Sequence, residues 1–480
     1  MYKFLLTLSC AAAVFDAAAQ EAIQPAVTGM QVQARSDVAD LVCEKKPLAA
    51  RPARAPDPDP MEIPDDSLVP VAPPPAASAA APSRTLPAPA AAQERPYRMA
   101  IWGDSHLAAG FFTEELAKQL NLPPDGVSNV LLPANMGRAG VRLPLRRACV
   151  SSDWKYEPGY LGRDNATAPG PGLMNMFSDA AGATLAWDVR KNAQAPGHER
   201  IRVLYQQTAA PLRIGVSVDG GAEQEVTLQG AAGPGILELD GDRPLSQVKL
   251  RLIDGAFRFQ GLELFSARAH PFEMDVFGYP GATAAGWRSA DLGYLRSWFQ
   301  ERSYDLVALE FGTNEGNVKP FDIATYRANL VEAVRNMRAV FPMAACVLIA
   351  PGDRGVLVPR SANLRKKGRT AARTKQKKAP ARPGVDLLAY SKIHADIARV
   401  QKEVAEDAGC LAWSMQEAMG GPGASYRWAQ QSPALMAKDL IHFTAAGYRQ
   451  LARDFVRDIG WTGLPAQARP GEAAPVTTLF

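Results

Sequence analysis

Three short polar breaks along this chain, each following an apolar run, hold residue types that can act together: Gly103-Asp104-Ser105-His106, Gly312-Thr313-Asn314-Glu315 and Asp439-Leu440-Ile441-His442. The chemistry they suit is acyl transfer, which needs a nucleophile, a base, a group that orients the base, and donors for the oxyanion. Ser105 is the candidate nucleophile. His442 is the candidate base, the best placed of the five histidines, three residues after Asp439. Across a tight turn that spacing lets the carboxylate accept the imidazole Nδ1–H, which fixes the tautomer and steadies the imidazolium. The Asn314 amide can donate to an oxyanion. The backbone N–H groups of Ser105 and of Gly281, in Phe277-Gly278-Tyr279-Pro280-Gly281-Ala282-Thr283, complete the donor set, the glycine with no side chain in the way. His106, His198, His270 and His394 lack a matching partner and read as structural or surface residues. Asp104 reads as a loop brace, and Trp102, Trp287 and Trp413 as core. Cysteine and histidine spacing offers no zinc pattern, so no metal or other cofactor is expected.

These residues need strands that end in one place. Arg98-Met99-Ala100-Ile101-Trp102 reads as a buried strand before Ser105, with a helix at about 112–120 after it. Further strands are expected at Phe272 to Phe277, Tyr304 to Phe311, Ala344 to Ala350 and Cys410 to Trp413. Helices are expected at Ala290 to Arg302, Tyr326 to Phe341, Tyr390 to Ala408 and Thr444 to Ile459. Strands alternating with helices predict a doubly wound parallel sheet, whose carboxyl edge gathers functional loops. Between 151 and 268 the pattern changes to short alternating runs, such as Arg213-Ile214-Gly215-Val216-Ser217-Val218 and Val248-Lys249-Leu250-Arg251-Leu252, separated by turns. That spacing predicts an inserted β-sandwich or jelly roll.

The polar blocks resemble those of the SGNH (GDSL-type) hydrolase family: Gly103-Asp104-Ser105, then Gly278-Tyr279-Pro280-Gly281, Gly312-Thr313-Asn314-Glu315 and Asp439-Leu440-Ile441-His442, in the family's order. The resemblance implies a Ser105–His442–Asp439 triad and an oxyanion hole made by Ser105, Gly281 and Asn314. Block two lies about 175 residues after Ser105, farther than is usual in the family, and the β-rich stretch accounts for the distance. An α/β esterase interrupted there is similar to bacterial peptidoglycan O-acetylesterases, whose inserted module resembles carbohydrate-binding domains. A Gly-x-Ser-x-Gly elbow is absent around Ser105, which argues against an α/β-hydrolase.

The remaining sequence bounds where such an enzyme works. Hydrophobic content of 47% with 21% charged residues is that of a soluble globular protein. The net charge of +4 includes nine Lys or Arg in Arg365 to Arg382, so the rest is about −5 (4 − 9), and nucleic acid is not an expected partner. Residues 1–19 read as a secretory signal: Lys3, an apolar run too short to span a bilayer, and Ala17-Ala18-Ala19 as the cleavage site. Residues 20–96, with an Ala/Pro tract from 51, read as a disordered spacer. The hydrolase domain then occupies 97–150 and 269–462, the inserted domain 151–268, a solvated basic loop 354–387, and a tail 463–480. No segment of the mature chain reads as transmembrane, and association with the envelope is peripheral at most. Cys43, Cys149, Cys346 and Cys410 allow three pairings, and Cys346, in an apolar strand, reads as a buried free thiol.

The expected function is an exported, periplasmic or envelope serine esterase that removes O-acetyl groups from peptidoglycan. Alternatives are a glycan O-acetyltransferase, an esterase for another acetylated polysaccharide, and a non-catalytic wall-binding protein.

Overall fold

The computed structural model describes residues 23–43, 61–64, 86, 89, 95–123, 126–163, 168–359 and 385–461. The expected signal peptide, most of the Ala/Pro tract, most of the basic loop and the carboxyl-terminal tail lie outside the described residues.

Six parallel strands form one sheet in the order Leu411–Ser414, Ala345–Ala350, Leu306–Glu310, Tyr97–Gly103, Phe272–Gly278, Val127–Ser128. Helices cover both faces, which is why these strands are mainly apolar rather than alternating, with Arg98, Glu273, Asp275 and Glu310 as exceptions. All five residues of Leu306–Glu310 are buried. Alternation instead decides which core each residue enters. Ala100 and Trp102 join one core, with Leu330 and Val334 of helix Ile323–Val340 and Ile397 of helix Ala389–Ala408. Met99 and Ile101 join the other, with Leu116 of helix Phe111–Gln119 and Phe455 of helix Ala445–Asp458. From Tyr97–Gly103 the chain adds strands outward in both directions. The carboxyl end of that strand is therefore the switch point of the sheet, where successive connections diverge and leave a crevice.

A second unit is made of two further sheets. One runs Ala26–Val32, Gly233–Leu245, His198–Gln207, Phe257–Phe265, Asn175–Ser178, Lys155–Glu157, with Leu131–Pro133 also on Phe257–Phe265. The other runs Gln224–Leu228, Leu212–Val218, Gln247–Asp254, Thr184–Asp188, Arg147–Val150. Val203, Leu239 and Phe259 of the first share one core with Trp187, Ile214 and Leu250 of the second. This unit is fastened to the parallel sheet through buried Asp275, which accepts from the Val130 and Leu131 amides at 2.8 Å and from the Tyr304 hydroxyl at 2.9 Å.

Three expectations need correction. The spacer expected over 20–96 is not uniformly without structure: Ala26–Val32 is a strand, paired in parallel with Gly233–Leu245. A partner some 200 residues away leaves no local signal, and a parallel edge pairing has no hairpin turn to announce it. The β-rich unit also begins before 151, since Leu131–Pro133 and Arg147–Val150 belong to its sheets. Finally, Cys346 is not a free thiol. It is bonded to Cys410, on the adjoining strand connection, and Cys43 is bonded to Cys149.

Candidate active site

Ser105 opens the four-residue helix Ser105–Ala108 directly after strand Tyr97–Gly103. Asp104 caps that helix, its carboxylate accepting from the His106 amide at 2.8 Å. As the first helical residue, Ser105 has an N–H with no acceptor inside the helix. Gly103 is fixed by space: a Cβ there would lie 2.5 Å from both Glu310 Oε2 and Leu107 Cδ1.

The structure brings Ser105, His442 and Asp439 into one hydrogen-bonded chain. Ser105 Oγ is 2.9 Å from His442 Nε2, and His442 Nδ1 is 2.7 Å from Asp439 Oδ2. Asp439 Oδ1 accepts from the amides of Ile441 and His442 at 2.9 and 3.0 Å, which closes the turn. Leu440 holds the left-handed region (φ 56°), and its fully buried side chain anchors that conformation. With Nδ1–H donated to Asp439, Nε2 is left to accept the Ser105 proton.

Around this chain the protonation states are set by a few neighbours. The bond to Asp439 raises the His442 pKa above its ordinary 6.5, against a smaller opposing effect of burial. Partial burial works against ionisation of Asp439, but the bonds from His442 and two amides outweigh it and hold the carboxyl well below its usual range. His106, read from the sequence as a structural or surface residue, lies with its ring centroid 5.5 Å from that of His442. Its Nδ1 is 3.2 Å from the Tyr448 hydroxyl, and burial, then the His442 charge, lowers its pKa to about 3. His106 thus walls the base as a neutral ring. A base must be unprotonated to act, so ester turnover should fall on acidification with a kcat/KM midpoint above 6.5. A pH profile on a small acetate ester checks this, and a midpoint below 6 would contradict it.

Gly281 and Asn314 come from the two strands flanking Tyr97–Gly103. Tyr279-Pro280-Gly281-Ala282 is a turn closed by the Ala282 N–H on the Tyr279 carbonyl (3.0 Å), with Gly281 at φ 87°. Proline then glycine at those positions is the type II signature, so the glycine is required by its backbone angle. Asn314 Nδ2 donates to the Ala282 carbonyl at 2.9 Å and to Asp104 Oδ2 at 3.2 Å. The amide thereby joins the residue after Gly281 to the residue before Ser105, and it is engaged at rest.

Behind these groups stand three carboxyls. Glu310 Oε2 accepts from the Asp104 amide at 3.0 Å. Burial, then the Asp104 charge, pushes the Glu310 pKa well up. Burial raises Asp104 to about 6 and Glu315 to about 7. Glu315 accepts from the Ala284 amide at 2.9 Å and the Gly312 amide at 3.0 Å, tying the Gly281 loop to the Asn314 loop. The only advance signal for Glu310 was an acid ending an otherwise apolar strand. A cavity of about 600 Å³ lies behind the serine helix, lined by Leu107, Ala108, Arg142, Met274 and Gly278 among others; neither Ser105 nor His442 lines it.

Residues 254–450 match the GDSL-like lipase/acylhydrolase family. The match starts well after Ser105, within the β-rich unit. The chain is similar to a solved peptidoglycan O-acetylesterase, with 22% identity, a TM-score of 0.54, and 76% of this chain and 91% of that chain covered. It is also similar to LAE5, an alpha/beta hydrolase enzyme from the metagenome of Lake Arreo, Spain (17% identity, 42% and 76% covered, TM-score 0.27). A further solved structure is a family two carbohydrate esterase from Clostridium thermocellum (10% identity, 64% and 97% covered, TM-score 0.25). No curated protein matches the sequence.

Proposed function

We propose that this SGNH (GDSL-type) hydrolase is an exported serine esterase that removes O-acetyl groups from peptidoglycan. The observation that carries the reading is the continuous chain Asp439–His442–Ser105, at 2.7 and 2.9 Å. His442 Nε2 takes the Ser105 proton as Oγ attacks the acetyl carbonyl carbon. The oxyanion is held by the Ser105 and Gly281 N–H groups and by Asn314, whose longer bond, to Asp104, is the one it exchanges. The imidazolium returns its proton to the sugar oxygen, which leaves as the alcohol. His442 then activates a water that attacks the acetyl-serine and releases acetate.

Export is supported by the signal-like residues 1–19 and by two disulfides, which persist in oxidising compartments. The glycan substrate is supported by likeness of fold to the peptidoglycan esterase over most of both chains. We read the two-sheet unit as an inserted jelly-roll-like module of the carbohydrate-binding kind. The test is acetate release from O-acetylated peptidoglycan, beside a small chromogenic acetate ester. Release from both supports the reading; hydrolysis of the small ester alone keeps the esterase and discards the wall substrate. Asn314→Ala should lower turnover by roughly 10²–10³, as for loss of one oxyanion donor. A variant at full speed would remove Asn314 from the oxyanion hole.

A further inference from the structure

One cation beside the Asp439–His442 turn has no use in the chemistry above. Arg354 follows strand Ala345–Ala350. The amide of its neighbour Gly355 donates to the Leu440 carbonyl at 3.0 Å, which fixes Arg354 beside the Asp439–His442 turn. Its Nε and Nη1 are buried and have no hydrogen-bond partner. Among the described residues no carboxylate forms an ion pair with it. Asp439 is already bonded to His442 and two amides. What Arg354 does have is an aromatic neighbour: its Cζ lies 3.9 Å from the centroid of the Tyr390 ring, and Lys319 Nζ lies 4.9 Å from the same centroid. A ring face attracts the positive charge but leaves in-plane N–H groups unbonded. Burying unbonded N–H groups is costly, so donors left in this state beside a reactive histidine call for a partner. Nε and Nη1 lie on different edges of the planar guanidinium, so a carboxylate takes one charged hydrogen bond from either of them.

We infer that Arg354, with Lys319 against the same Tyr390 ring, forms a subsite for a carboxylate of the substrate, next to the ester that Ser105 attacks. This rests on the esterase reading and narrows it to acetylated glycans that carry acid groups. Peptidoglycan meets the requirement through the carboxylates of its peptides. A uronic acid polymer meets it through the sugar itself, whereas a neutral acetylated polysaccharide does not.

The experiment compares KM for soluble O-acetylated peptidoglycan fragments with their carboxylates free and after amidation, in the wild type, Arg354→Ala and Arg354→Lys. One charged hydrogen bond is worth about 10- to 100-fold, so the wild type should favour the free acids by that factor. Arg354→Ala should bring the ratio near one, and Arg354→Lys should leave it in between. A wild-type ratio near one, or a ratio that survives Arg354→Ala, overturns the subsite, and the wild-type measurement decides even if the variants fold poorly. An acetylated uronate oligosaccharide and its methyl ester form the second arm. If the fragments are not deacetylated at all, the peptidoglycan reading fails and this arm decides the subsite. Preference for the uronate, lost in Arg354→Ala, upholds it; equal use of acid and ester overturns it.

Discussion

Ser105→Ala and His442→Ala should each lower ester turnover by about 10⁵–10⁶, and the double variant should be no slower than either. The two side chains act as one unit: without Oγ there is nothing for Nε2 to deprotonate, and without Nε2 the hydroxyl stays a weak nucleophile. The 2.9 Å contact between them is the physical basis of that non-additivity. What remains in each variant is the contribution of substrate binding and of the oxyanion donors, which neither change removes. Single-turnover kinetics on a chromogenic acetate ester, with active-site titration to exclude wild-type carry-over, gives the three rates. A double variant slower than the singles by the product of their effects would mean that the residues act independently.

Asp439→Asn carries the second largest expected loss. The carboxylate can only accept, so it forces the Nδ1–H tautomer and leaves Nε2 as base. An asparagine amide can donate to Nδ1 instead, which puts the ring proton on Nε2, facing Ser105. In a buried serine-protease triad this exchange costs about 10⁴. Here Asp439 and His442 have side chains 46% and 41% exposed, so water can partly restore the tautomer balance, and we expect roughly 10³–10⁴. The acid limb of the pH profile should also move down, because the Asp439 bond is the main cause of the raised His442 pKa. A loss of less than tenfold with an unmoved limb would show that Asp439 does not orient the base.

How much of this was readable in advance followed the range of each interaction. Asp439 and His442 are three residues apart, and the turn that joins them is local, so their spacing announced their contact. Strands such as Leu306–Glu310 were legible because burial on both faces leaves an uninterrupted apolar run. The supporting shell was not. Glu310 ends such a run and looks like its polar boundary, yet its carboxyl sits against Gly103 and Asp104, some 206 residues away. Only the pairing of two parallel strands brings them together. The bond from Asn314 to Asp104 is likewise a product of neighbouring strand ends, which gave Asp104 a partner that its local loop could not reveal. Arg354 was read with the basic stretch that follows it, and its burial depends on Tyr390 in a helix beyond that stretch.

The Cys43–Cys149 bond also changes what the proline-rich segment can do. Strand Ala26–Val32 and this bridge secure the chain before the segment, and strand Tyr97–Gly103 secures it after. Both ends of the segment therefore belong to the folded body, and its length lends no reach toward a distant anchor. A protease that cuts it once would not release the amino-terminal piece. It would produce two polypeptides that run as one species until a reductant is added.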